Sequence, residues 1–172
     1  MNTIEKIYSE YIALITFLNK KEEPSFELLV RNNFTKIFII AIASFFEKEI
    51  TDLILDYTKK TSNKNKLLIN FIKNKAISRQ YHSLFQWSEN NANSFFGLFG
   101  DDFKTFMQKK TTNDAQQENT KAFLELGSLR NRLVHNDYAS FIIDKTLEEI
   151  FQSFESAQEF LNWLKETFQD FN

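Results

Sequence analysis

The chain has 172 residues, of which 42% are hydrophobic and 26% are charged, and its formal net charge is −2. These values are typical of one globular domain and exclude a disordered chain. With 3 Gly and 1 Pro, the chain lacks the turn residues that an all-β protein needs. The absence of Cys excludes disulfides and thiolate metal sites. With only two histidines, the chain is not expected to hold a histidine-rich metal site, although its composition does not exclude a metal site made of carboxylates. We therefore predict one all-α domain over residues 1–172, with no metal and no cofactor.

The N-terminal half predicts two helices. The first 25 residues lack a signal peptide, and no apolar run is long enough to span a membrane, so we expect a cytoplasmic protein. Apolar residues at spacings of three and four predict a helix over residues 3–20. After "KKEEPS", a long helix is predicted over residues 25–60, with Ser25 as its N-cap. Its middle, "KIFIIAIASFFEKEITDLIL", is apolar on almost every face, which indicates the central helix.

Glu47 interrupts this apolar middle. A carboxylate in such a place is expected to be buried and paired, and Arg130 and His135 are the candidate partners. Structural pairing is the preferred interpretation, and a role that supports catalysis is the alternative.

A third helical region is predicted over residues 64–87, in one or two pieces. From residue 57 to residue 88 there are seven cations and no carboxylate: Lys59, Lys60, Lys64, Lys66, Lys73, Lys75 and Arg79. A solvated helix face is the preferred interpretation. The alternative is contact with an RNA backbone, for which Lys73, Lys75 and Arg79 are the candidates. His82, in "RQYHSLFQW", is interpreted as structural.

The C-terminal half predicts an irregular segment and three helices. The segment "SENNANSFFGLFGDD" carries two of the three glycines. A short helix is predicted over residues 102–109, and another over residues 114–135. The last helix is predicted over residues 146–168, where Thr146 and Glu149 match a capping box.

A helical wheel of residues 114–135 separates two faces. Leu126 and Leu133 belong to the core stripe, whereas Asn131 and His135 lie roughly opposite, one turn apart. Leu124 and Gly127 lie near this outer face. A mid-helix glycine suggests close approach of another backbone, so we predict that a second copy of the chain packs here.

The motif "RNRLVHNDY" combines three chemically useful side chains. Arg130 presents a forked cation that suits phosphate, and His135 can take or give a proton near neutrality. Asn131 can orient a neighbour. These groups suffice for metal-free RNA cleavage by the 2′-hydroxyl, but such residues also cap ordinary helix ends, and composition alone favours that simpler interpretation.

This motif resembles the Arg-Asn-x-x-x-His signature of the HEPN superfamily, and "ASFFEKEITDLI" is similar to an earlier helix of its RiboL-PSP-HEPN branch (MAE-like). The resemblance implies an all-α HEPN-like bundle of about five to six helices. It also implies a metal-independent endoribonuclease, a homodimer with both motifs at one cleft, and a role in bacterial antiviral defence or a toxin–antitoxin system. Arg130 would hold the phosphate, His135 would transfer protons, and Asn131 would orient them.

The resemblance leaves alternatives open. Some toxin members carry a modified tyrosine two residues after the histidine, whereas Tyr138 here comes three residues after, so its supporting role is an expectation only. Some HEPN domains are catalytically inactive and bind RNA, nucleotide or a partner protein, and a structural helical interaction protein is the third alternative. The expected partners are RNA, a second copy of the chain, and a cognate antitoxin or immunity protein.

Overall fold

The computed structural model describes residues 2–111 and 113–171. Within these residues the chain is helical and contains no strand, so the predicted all-α class is confirmed. Eight α-helices and one π-helical turn follow one another in this part of the chain: α1 (Thr3–Lys20), α2 (Pro24–Thr61), α3 (Lys66–Ile72), the π-helical turn (Lys73–Ile77), α4 (Tyr81–Leu84), α5 (Asn93–Gly97), α6 (Asp101–Lys110), α7 (Asp114–His135) and α8 (Leu147–Asp170).

The central helix of the bundle is α2, which packs against α1, α7 and α8. Phe38, Ile42, Phe46 and Ile50 recur every four residues on its buried face. The Phe46 ring meets a phenylalanine of α7 and one of α8, with centroid distances of 5.3 Å and 5.7 Å. The three long helices therefore share one aromatic core, which fixes α7 against α2.

The start of α2 differs from the prediction. The helix begins at Pro24, and Glu23 occupies the N-cap position without a side-chain cap, so the predicted Ser25 cap is wrong. Proline suits the first helical position because its missing N–H has no intrahelical partner there. Neither α2 nor any other helix of the described residues has a stretch long and apolar enough to cross a bilayer.

Residues 62–100 contain more short helices than expected, which raises the helix count above the predicted five to six. The region predicted over residues 64–87 divides into α3, the π-helical turn and α4, and α5 forms inside the segment predicted to be irregular. Asn63, Lys64 and Arg79 have left-handed backbones, with φ of 49°, 58° and 62°. Left-handed residues interrupt a right-handed helix, so they mark the breaks on either side of α3 and the π-helical turn.

Helices α7 and α8 pack along each other and close the bundle. The predicted capping box of α8 is present: the Glu149 carboxylate accepts from the Thr146 backbone N–H at 2.7 Å, and the Thr146 hydroxyl accepts from the Glu149 N–H at 3.2 Å. This cap starts α8 beside the C-terminal half of α7, where Arg130 and His135 lie.

Candidate active site

The last two turns of α7 position the predicted motif. Leu133 is fully buried and anchors this end of the helix to the core. The helix ends at His135, and Asn136 closes it by donating from its backbone and side-chain N–H groups to the Arg132 carbonyl, at 3.1 Å and 2.6 Å. Asn131 and His135, one turn apart, are thereby held on the same face.

A cleft of about 530 Å³ opens beside this face. Three parts of the chain form it: α2, residues 79–87 and the second half of α7. Its charged and polar lining residues are Glu47 from α2, Arg79, Tyr81 and His82 from the second part, and Arg130, Asn131 and His135 from α7. Residues far apart in sequence thus contribute two guanidinium groups and two imidazoles to a single cleft.

Arg130 and Asn131 contact each other within the cleft. The Arg130 Nη1 donates to the Asn131 Oδ1 at 3.1 Å. Among the described residues Arg130 forms no ion pair, so the other guanidinium N–H groups remain available to an anion. The His135 side chain is exposed and makes no hydrogen bond within the same described residues.

Glu47 lies in the cleft but is not buried. Its side chain is exposed and forms no ion pair with any described residue, so the predicted buried pair with Arg130 or His135 is wrong. The apolar stretch around Glu47 indicated burial, yet the cleft opens on this side of α2 and leaves the carboxylate in contact with solvent.

A cluster of aromatic side chains lies where residues 81–87 pack against α7. Trp87 packs near the rings of Tyr81, Phe85 and Phe123, at centroid distances of 5.5, 5.1 and 5.9 Å. Burial is the main cause that raises the pKa of Tyr81 above its ordinary value. The Glu47 carboxylate raises it further and Arg130 acts in the opposite direction. The Tyr81 phenol therefore stays neutral at physiological pH.

Gly127 has a different explanation from the predicted one. A Cβ at this position would overlap the six-membered ring of Trp87, so the close neighbour is an indole of the same chain rather than the backbone of another copy. Leu124, one turn earlier, is 1% exposed instead of lying on an open outer face. Phe85 and Trp87 pack against this side of α7, and a helical wheel of α7 alone cannot show that contact.

The three predicted RNA-binding cations separate in the structure. Arg79 lines the cleft, whereas Lys73 and Lys75 are exposed on the π-helical turn and lie outside the lining. Arg79 follows that turn with φ of 62°, a conformation that non-glycine residues seldom adopt. Segments of π-helix and non-glycine residues with left-handed backbones are each common at functional sites.

Tyr138 lies in the loop after α7 and does not line the cleft. Lys36 of α2 donates to the Tyr138 carbonyl at 2.8 Å, and its ammonium lies 5.3 Å from the centre of the Tyr138 ring. These contacts attach the loop to α2.

Sequence reasoning missed three contributions to the site: Tyr81, His82 and Trp87. His82 was interpreted as structural, but its imidazole is exposed, lines the cleft and makes no hydrogen bond within the described residues. The available signal was "RQYHSLFQW" itself, which places Arg79 and His82 three residues apart in a stretch without carboxylates.

The fold and the cleft together define an all-helical domain with an Arg-Asn-x-x-x-His motif at the end of its penultimate helix. The model of the RiboL-PSP-HEPN family matches residues 3–170, which run from the first residue of α1 to the last of α8. The chain therefore belongs to the RiboL-PSP-HEPN family, as its sequence indicated. This membership suggests a nuclease-like or RNA-binding domain. Neither the curated proteins nor the solved structures yielded a match.

Proposed function

We propose that the protein is a metal-independent endoribonuclease, in which Arg130, Asn131 and His135 act on RNA at the cleft. The observation that carries the proposal is that a guanidinium and an imidazole line one open cleft, and each keeps donors or acceptors that no group of the described residues occupies. Family membership supports the same class of activity.

The proposed reaction is attack of the RNA 2′-oxygen on the adjacent phosphorus. The new O2′–P bond forms as the P–O5′ bond breaks, which leaves a 2′,3′-cyclic phosphate and a 5′-hydroxyl. Arg130 binds the phosphate oxygens through its forked donors. Asn131 accepts a hydrogen bond from Arg130 and thereby orients it. His135 transfers a proton, and Glu47 lies in the same cleft as a supporting carboxylate.

A two-fold dimer would bring two such clefts together. Ile37 and Ile40 of α2 and Val134 of α7 are 48%, 38% and 48% exposed. Val134 lines the cleft, and Ile40 lies one turn from the lining residue Ala43. We take these side chains as part of the dimer surface, because exposed apolar patches beside a site are typical of protein–protein contacts. The role in bacterial defence or a toxin–antitoxin system, with an antitoxin or immunity partner, rests on the resemblance to the HEPN superfamily.

The experiment compares wild type with His135→Ala on total RNA, with and without chelator. We expect wild type to cleave in chelator and to leave cyclic phosphate ends. His135→Ala should lose about 10²–10⁴-fold in rate because the proton carrier is absent. Its fold should survive because the side chain is exposed, and circular dichroism checks this. Arg130→Lys should restore little activity, since a point charge lacks the fork.

Equal cleavage by a folded His135→Ala protein would contradict the proposal, as would loss of activity in chelator. Tight RNA binding without any cleavage by wild type would instead favour a catalytically inactive RNA-binding domain.

A further inference from the structure

We propose that His82 is a second proton carrier in the same cleft, so that one protomer holds both the acid and the base of the cleavage reaction. This inference rests on the proposed ribonuclease function and assigns a role to a residue outside the Arg-Asn-x-x-x-His motif.

The first observation is the placement of the two imidazoles on two walls of one cleft. His135 ends α7, and His82 lies in the first turn of α4. Both side chains are exposed, line the same space of about 530 Å³, and make no hydrogen bond within the described residues. A cleft of this size falls in the ~300–1,000 Å³ range of small-ligand sites. Both imidazoles therefore border one space that is large enough to hold a nucleotide-sized ligand.

The second observation is a structural link that fixes one wall relative to the other. The Trp87 Nε1 donates to the His82 carbonyl at 2.7 Å. The same indole packs directly on Gly127 of α7, where a side chain would overlap it. Gly127 precedes His135 on α7 by little more than two turns. The His82 backbone is therefore attached, through one rigid ring, to the helix that carries His135.

The third observation is the repetition of charge on the two walls. Arg79 lines the cleft three residues before His82, and Arg130 lines it five residues before His135. The other titratable groups that line the cleft are Glu47 of α2 and Tyr81 of α4. Each wall thus supplies a guanidinium for phosphate and an imidazole for a proton, which is a complete set for transesterification.

The proton balance of the reaction needs two carriers. One imidazole, in its neutral form, accepts the 2′-hydroxyl proton as the O2′–P bond forms. The other, in its protonated form, gives a proton to O5′ as the P–O5′ bond breaks. After the reaction the first imidazole is protonated and the second is neutral. Proton exchange with solvent restores both before the next turnover.

The test is a pH profile of kcat/KM for wild type, His82→Gln and His135→Ala on a defined RNA dinucleotide. We expect a bell-shaped profile for wild type. His82→Gln should lose one limb of the bell and about 10²–10⁴-fold in kcat/KM at the optimum. Gln86→Ala, an exposed polar position outside the cleft lining, is the matched control and should keep both limbs.

Heterodimers, purified with two different tags, test where the second imidazole comes from. It is either His82 of the same protomer or His135 of the other protomer. A wild-type/His135→Ala heterodimer should retain about half the activity of wild type, because one protomer keeps both imidazoles. A His82→Gln/His135→Ala heterodimer should be inactive, because each cleft lacks one.

The outcomes separate the two proposals. Normal cleavage and an intact bell in His82→Gln, beside an inactive His135→Ala, would overturn the role of His82 and leave the ribonuclease proposal standing. An inactive wild-type/His135→Ala heterodimer would also overturn it, since the second carrier would then come from the partner. Absence of RNA cleavage by wild type would overturn both proposals.

Discussion

At the scale of single residues, Gly127 and Trp87 connect the core to the site. The indole ring lies between Tyr81, Phe85 and Phe123, and its N–H is bonded to the His82 carbonyl. These contacts leave the ring little room to move. Gly127 therefore serves to admit the ring against α7, not to make the helix flexible.

Gly127→Ala should destabilise the protein. A Cβ at this position overlaps the Trp87 ring, and overpacking of this kind costs about 1–3 kcal/mol. The better helix propensity of alanine returns about 1 kcal/mol. Because the Cβ overlaps ring atoms of a packed indole, the cost falls at the upper end of this range, and we expect a net loss of about 2 kcal/mol in the free energy of unfolding, measured by urea denaturation.

Gly97→Ala is the control for this substitution. A Cβ at residue 97 would meet its nearest neighbour, the Lys104 Cδ, at 3.8 Å, which is an ordinary contact. Its stability should change little. Equal stability of Gly127→Ala and wild type would show that Trp87 can move aside.

Single residues also mark where sequence reasoning succeeded and where it could not. The four-residue spacing of Asn131 and His135 predicts that they share one face at the end of a helix, because residues three and four apart are neighbours on the helix surface. The exposure of Glu47 and the position of His82 depend on residues 79–87 packing against α7. Such contacts join residues tens of positions apart, and no local pattern encodes them.

At the scale of elements, the capping box of α8 makes stability depend on pH. The Glu149 carboxylate accepts from the backbone N–H and the hydroxyl of Thr146, at 2.7 Å and 2.9 Å. The backbone hydrogen bond is the main cause that lowers the pKa of Glu149, and the hydroxyl adds to it. Because the pKa is lower in the folded state, the stabilisation is complete above the unfolded pKa of about 4.3. It is lost as the pH falls through the folded pKa.

Glu149→Gln should therefore reduce the acid sensitivity of the fold. We expect the loss of Tm between pH 7 and pH 3 to be smaller in Glu149→Gln than in wild type. Glu159→Gln is the control, because Glu159 is exposed on the same helix and makes no hydrogen bond or ion pair among the described residues. Identical pH profiles for wild type and Glu149→Gln would contradict the role of the cap.

The elements differ in how well the sequence predicts them. The predicted bounds of α1 and α7 agree with the structure, because apolar periodicity and polar caps coincide there. The π-helical turn and α4 were not predicted as separate elements. A five-residue π-helical turn and a four-residue helix are too short for periodicity to define. The break between them lies at Arg79, a left-handed residue that is not glycine.

The three cations after α3 should contribute unequally to RNA binding. Arg79 lines the cleft, whereas Lys73 and Lys75 are exposed outside it. Arg79→Ala should weaken RNA binding and reduce the slope of log K against log salt by about 0.7, the value for one phosphate contact to a single strand. The double variant Lys73→Ala/Lys75→Ala should have the smaller effect. A larger effect of the two lysines would mean that RNA follows the π-helical turn instead of the cleft.

At the scale of the whole molecule, α2 is apolar on more faces than the bundle covers. Phe38 and Ile42 are buried, but Ile37 and Ile40 remain exposed on the side that leads to the cleft. Val134 of α7 extends this apolar rim. We define Ile37, Ile40 and Val134 as the rim patch. Because it lies beside the cleft that holds Arg130 and His135, we propose it as the surface through which a second copy brings the two clefts together.

We expect wild type to be a dimer at micromolar concentration and Ile40→Glu to be a monomer, as measured by sedimentation velocity. A carboxylate within the rim patch would lose its solvation on association without gaining a partner. The folded monomer should tolerate the change, because the Ile40 side chain is already exposed. Leu98→Glu is the matched control: Leu98 is an exposed apolar residue that does not line the cleft, and its variant should remain dimeric. A monomeric wild type, or a dimer that withstands Ile40→Glu but dissociates with Leu98→Glu, would contradict the rim patch as the dimer surface.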